Sequence, residues 1–168
     1  MTISSEKFYL KPDWRLLMSH PAHFFSLGFG SGLMPKGPGT AGTLVAFPLY
    51  WFLAPRLNDY MFILFLVVAF VIGVKICDKT GRALGVEDHG GIVWDEIVAF
   101  LLVLFFTPAG VGWQIFAFVL FRFFDIVKPQ PIRHFDQNLH GGLGVMFDDI
   151  LAAAYALLCM ALVKSFLP

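Results

Sequence analysis

Two acidic pairs, Asp95-Glu96 and Asp148-Asp149, stand where polar segments give way to apolar runs. Each closes a glycine-bearing stretch, Gly90-Gly-Ile-Val-Trp-Asp-Glu96 and Gly141-Gly-Leu-Gly-Val-Met-Phe-Asp-Asp149, and each is read as opening an apolar helix. Capping a helix or offsetting its dipole would need only one acid. Ionised groups beside an apolar layer are costly unless they are paired or bind an ion. Two pairs therefore invite a hard cation, and one or two carboxylates completed by water suit Mg²⁺. Neighbours on a helix point about 100° apart, so both members of a pair need not meet the same ion.

A second constellation is Phe121-Arg-Phe-Phe-Asp-Ile-Val-Lys-Pro-Gln-Pro-Ile132. Arg122, Asp125 and Lys128 follow one another at i, i+3 and i+6 and share a helical face before the prolines end the helix. One reading is an interfacial ion pair with a snorkelling arginine. The other gives Arg122 and Lys128 the oxygens of a phosphate, Arg as a fork and Lys as a point charge, with Asp125 joining a metal shell. Cations, carboxylates and an apolar setting together point to phosphoryl chemistry on an amphiphile.

Weaker signals surround these. Asp78 and Arg82, and Lys75 and Lys79, are i, i+4 pairs that a solvated, short amphipathic helix explains, although Asp78 could also reach a metal. Asp88, His89 and His140 sit in polar turns, where an imidazole is suited to proton transfer near neutrality. The stretch Gly28 to Thr43 is rich in glycine but has neither a GK[ST] signature nor a dinucleotide fingerprint. Its glycines serve either close helix packing or exposure of amides to phosphate, with Ser31, Lys36, Thr40 and Thr43 assisting.

The elements that must hold these residues are apolar. Of 168 residues 58% are hydrophobic and only 14% charged, against about 25% charged in ordinary soluble domains. Twelve basic residues against 12 acidic ones leave nothing to track a nucleic-acid backbone. Cys77 and Cys159 read as small hydrophobes rather than a disulfide or zinc site. The runs 60–77 and 150–167 reach the roughly 17–20 residues needed to cross a bilayer. Alternating strands for a closed barrel are missing from the sequence. The expectation is an all-α, small polytopic integral membrane protein: one domain over 1–168, a helical bundle with boundary polar loops, and a polar tail over 1–15. Thr107-Pro-Ala-Gly110 interrupts the run from Ile97 to Phe121 and favours a helical hairpin. The polar regions 75–96 and 122–149 would then share one side and could build one site.

These residues resemble the phosphatidylglycerophosphatase A family. The resemblance rests on Gly28-Phe-Gly-Ser-Gly-Leu33 with Pro38-Gly-Thr40, Val93-Trp-Asp-Glu96, Phe121-Arg with Phe124-Asp and Lys128-Pro-Gln-Pro-Ile132, and Gly141-Gly-Leu-Gly-Val with Asp148-Asp149, in that order over about 20–160. It implies a bacterial inner-membrane, multi-pass enzyme with its site facing the cytoplasm. It implies Mg²⁺-dependent removal of the terminal phosphate of phosphatidylglycerophosphate. The family's acids fall on Asp95, Glu96, Asp125, Asp148 and Asp149, and its basic positions on Arg122 and Lys128. Ala99 stands where the family often has glycine, and Thr43 where it often has serine. The implied reaction is metal-assisted phosphomonoester hydrolysis in which one carboxylate free of metal takes the proton of water. The competing readings are a non-enzymatic ion or lipid transporter, a phosphotransferase, and a phosphatase for another lipid phosphomonoester. The acids cluster at run ends while Tyr60–Val74 carries none, which favours a boundary site over a conduction path.

Overall fold

A computed structural model describes residues 11–166 of the chain, so most of the tail expected over 1–15 lies outside the described residues. Of that tail, Asp13 is already the N-cap of the first helix, α1 (Trp14–Ser19), where its carboxylate accepts from the Leu16 amide at 2.8 Å. A second short helix, α2 (Pro21–Ser26), leads into a 3₁₀ segment, Gly28–Leu33. Longer helices follow: α3 (Pro38–Leu53), α4 (Asp59–Leu84), α5 (Trp94–Phe106), α6 (Val111–Val127), the short α7 (Ile132–Asn138) and α8 (Gly141–Phe166). The described residues contain no strand.

Local signals account for the boundaries. Asn58 caps α4 by accepting from the Met61 amide, and left-handed Gly85 ends it. Left-handed Gly37 followed by Pro38 opens α3. The turn Thr107–Gly110, with Gly110 at φ 125°, joins α5 to α6 as an antiparallel hairpin. Both arms reach into the polar regions, since α5 begins before Asp95 and α6 runs past Asp125. The end of the bundle that holds the α5 N-terminus and the α6 C-terminus therefore carries both polar regions.

Helix α5 is apolar on every side and almost wholly buried, the pattern of a central helix. Helices α3, α4, α6 and α8 pack round it, and α8 also touches α4, α6 and α7. On α4 the buried positions Phe62, Leu66, Ala69, Gly73 and Cys77 form one stripe at helical spacing. Its opposite face, with Leu64, Val67, Val68 and Val71, is apolar yet exposed. Small residues on α8 permit close approach: a Cβ on Gly142 would strike the Val74 carbonyl. α4 and α8 are both long and apolar enough to cross a bilayer. An apolar exterior on two such helices makes this a small helical membrane protein.

Two expectations change. The segment around Asp78 is not a separate amphipathic helix but the last turns of α4, where Asp78 pairs with Arg82 at 2.9 Å. Helix α8 begins at Gly141 rather than at Asp148. Left-handed Gly141 and the buried Gly142 and Gly144 are packing positions of a helix, not a glycine loop. Asp149 thus lies eight residues, about 12 Å, inside α8.

At the same end, α2 is tied to α4 by a buried polar group. Thr80 Oγ1 lies 2.8 Å from His23 Nδ1 and 2.6 Å from Ser26 Oγ. Burial, reinforced by nearby His20 and Lys79, holds the His23 imidazole below its ordinary pKa of 6.5. The unfolded chain therefore takes up the proton first. The stability contributed is whole above the unfolded value of 6.5 and is lost as pH falls toward the lower folded one. Thermal unfolding in detergent is expected to drop between about pH 7.5 and about pH 5.5 more steeply in the wild type than in His23→Gln, which has no such proton to gain. Equal slopes would refute it.

Candidate active site

The first turn of α5 carries Asp95 and Glu96 into the interior. Asp95 is 8% exposed, and Val93 at the N-cap position makes no side-chain cap. Glu96 faces the start of α3, where Gly39 and Gly42 leave room for it: a Cβ on Gly39 would collide with the carboxylate. From α6, Arg122 Nη1 donates to Glu96 Oε1 at 2.8 Å and to Asp125 Oδ2 at 2.6 Å. It also points at Thr43 Oγ1, 3.4 Å away, while that hydroxyl donates to the Gly39 carbonyl. Three helices therefore meet on one guanidinium.

From α8 come Asp148 and Asp149, both buried. Lys128 lies just past the end of α6 in a left-handed conformation, and its ammonium donates to Asp136 Oδ1 at 2.6 Å and to Asp148 Oδ2. Asp149 lies within electrostatic reach of Asp125, Asp95, Asp148 and Glu96. A pocket of about 220 Å³, lined by Asp88, Asp136, His140 and Asp148 among others, connects this acid cluster with the polar loops.

The hydrogen bonding is unbalanced. Asp95 Oδ1, Glu96 Oε2, Asp148 Oδ1 and Asp149 Oδ2 are buried without a hydrogen-bond partner, and so is the Arg122 Nε donor. Each such group costs about 1–3 kcal/mol, and more when charged. The open carboxylate oxygens come from two helices, α5 and α8, and the open guanidinium N–H from α6. Among the described residues no group of three or more acidic, histidine or cysteine side chains is placed to hold a metal ion. The unpartnered oxygens are all carboxylate oxygens, the donor type that suits a hard cation which keeps part of its water.

The sequence-derived residues divide clearly. Glu96, Arg122 and Asp125 are joined by hydrogen bonds and Lys128 joins Asp148, while Asp95 and Asp149 are buried at the same end of the bundle without a bond to either group. Ser31, Lys36 and Thr40 do not join them. The Ser31 hydroxyl is spent on the Gly28 carbonyl, Lys36 is exposed, and among the described residues none of the three bonds to the cluster. In the 3₁₀ segment Gly32 packs closely, since a Cβ there would strike the Gly91 carbonyl. Two contributors were missed. Asp136 reaches Lys128 because the chain folds back across Pro129 and Pro131, and Gly39 makes space for Glu96. A small residue four before Thr43 on the same helical face was the available signal for Gly39. Gly39→Ala is expected to displace Glu96 and cut turnover by about tenfold or more, a cost of overpacking near 1–3 kcal/mol, while membrane insertion is unchanged. Wild-type rates in that variant would refute it.

The chain is similar to known proteins over most of its length. Residues 24–164 match the family described as PgpA, phosphatidylglycerophosphatase A. A Haemophilus influenzae protein named phosphatidylglycerophosphatase A is 45% identical over 149 residues, covering 88% of this chain and 91% of that protein. An Escherichia coli protein of the same name is 47% identical over 140 residues, covering 82% of this chain and 80% of its own length. A Bacteroides thetaiotaomicron protein, provisionally named a phosphatidylinositol-3-phosphatase, is 38% identical over 145 residues, with 82% and 89% covered. No solved structure matches the chain.

Proposed function

The chain belongs to the phosphatidylglycerophosphatase A family, and from that premise we propose that its acid cluster hydrolyses phosphatidylglycerophosphate to phosphatidylglycerol and inorganic phosphate in phospholipid biosynthesis, with Mg²⁺ as cofactor. The observation that carries the reading is the set of unpartnered buried atoms of opposite sign, four carboxylate oxygens beside one guanidinium N–H. A phosphomonoester with a divalent cation satisfies both at once. A transport path would need such groups along the apolar length of the helices, whereas these gather at one end.

Mg²⁺ held by some of Asp95, Glu96, Asp125, Asp148 and Asp149 would supply charge neutralisation at the phosphoryl group and a more acidic water. The chain's own residues do the rest. The Arg122 Nε–H is free to donate to a phosphoryl oxygen, while Glu96 and Asp125 fix the guanidinium in place. Lys128, held by Asp136 and Asp148, adds positive charge at the pocket edge toward the phosphoryl oxygens, and the P–O bond to the glycerol oxygen breaks with that oxygen taking the proton that water gave up. A carboxylate not engaged by the cation takes the proton of the attacking water. Buried apolar helices below the cluster exclude bulk water. The setting is a multi-pass protein of the bacterial inner membrane with this end of the bundle facing the cytoplasm.

The test is phosphate release by the purified full chain in detergent, with phosphatidylglycerophosphate and phosphatidylinositol 3-phosphate as parallel substrates. Faster release from the former is expected. Preference for the latter would move the chain to the other lipid phosphomonoester, and release from neither would return weight to transport.

A further inference from the structure

We infer that the apolar groove between α4 and α8 is a slot for one acyl chain of the phospholipid substrate. The inference rests on the phosphatase reading above and adds to it the part of the site that selects the tail. The groove has a volume of about 460 Å³, and every residue lining it is apolar. Ligand pockets commonly fall at about 300–1,000 Å³. Its floor is Val98 and Leu102 of α5, and its walls include Leu66 and Phe70 of α4 and Phe147 and Ile150 of α8.

Its position relative to the acids identifies the occupant. Asp95, Val98 and Leu102 recur at i, i+3 and i+7, so the floor of the groove and a buried carboxylate share one face of α5. The floor descends about 10 Å from Asp95 to Leu102, away from the end of the bundle that holds the polar loops. On α8 the lining runs from Leu143, on the loop side of the Asp148-Asp149 pair, through Phe147 to Ile150 beyond it. On α5 the floor begins at Val98, one turn past Asp95, so a lipid whose phosphate meets that carboxylate has a tail-sized apolar channel beside it. The rim is open to the side, with Val67 54% and Leu143 47% exposed. Both rim residues belong to the two helices of membrane-spanning length, so a chain enters from the bilayer without passing through water.

The experiment compares dioleoyl- and dihexanoyl-phosphatidylglycerophosphate. The wild-type chain is expected to favour the long-chain substrate in kcat/KM by about tenfold or more, since burying a few methylenes suffices for that factor. Val67→Trp and Leu143→Trp narrow the slot from opposite walls. Each is expected to raise KM for the dioleoyl substrate more than for the dihexanoyl one and so bring the ratio close to one. Leu158→Trp, on an exposed part of α8 outside the groove, is expected to keep the wild-type ratio. A dioleoyl analogue with a diazirine near its tail terminus should label the far end of the groove, around Ile63, Leu66 and Leu102 of the unaltered chain. A wild-type ratio near one, groove variants that keep the preference, loss of it in Leu158→Trp as well, or label spread over the outer face of α6 would each overturn the slot. Absence of phosphate release from either substrate would instead sink the phosphatase reading itself.

Discussion

Asp149→Asn is expected to make the cation-free protein more stable while removing most of its turnover. Asp149 is 3% exposed, its Oδ2 has no partner, and four other acids lie within electrostatic reach. An isosteric neutral side chain relieves that repulsion and the desolvation of an unpaired charge. The gain is about 1–3 kcal/mol, which raises the melting temperature in chelator by several degrees for a chain of this size. Turnover should fall about 100-fold or more, because even partners of ligands are worth about 10–100-fold at metal sites. The measurement is differential scanning fluorimetry in chelator beside phosphate release with Mg²⁺. A variant that is both less stable and inactive would mark Asp149 as a structural group, and full activity would remove it from the site.

Arg122→Lys is the second large effect. It keeps a positive charge between Glu96 and Asp125, so unfolding in detergent should stay close to wild type. It removes the Nε–H, which among the described residues is the one buried side-chain donor without a partner. An ammonium cannot hold two carboxylates and present a fork to a third anion in the same geometry. The expected loss in kcat is about 10²–10³, the range for deleting one preorganised donor. Arg122→Met should behave differently, losing stability by about 3–5 kcal/mol because two buried carboxylates are left without their partner. A fully active Arg122→Lys would show that the guanidinium is a strut and not a phosphate donor.

Much of this site was legible in the sequence for physical reasons. Charges are scarce in an apolar chain, so Asp95-Glu96, Asp148-Asp149 and Arg122-x-x-Asp125 stood out against their background. Pro108 and Gly110 marked the hairpin that brings Arg122 to Glu96. Other features depended on tertiary packing and left weaker traces. The expected helix starts only at Asp148, after the Gly141 to Gly144 stretch, yet Gly142 lies inside α8 and is required where that helix crosses the Val74 carbonyl. The acid pair therefore sits inside a helix instead of opening it. The Gly28–Leu33 segment offered amides for phosphate, but close contact with Gly91 explains Gly32 without a ligand. The bond from Lys128 to Asp136 spans a proline turn, a reach that helical spacing does not reveal.

The central claim is that a cation and a phosphate jointly satisfy the buried, unpartnered atoms of one cluster. The most direct measurement is phosphate release from phosphatidylglycerophosphate by the purified full chain, stripped with chelator and titrated with Mg²⁺, with Asp149→Asn alongside. The account predicts no release before the titration, saturable recovery in the wild type, and little recovery in the variant. Full release in chelator, or equal recovery in both proteins, would contradict it.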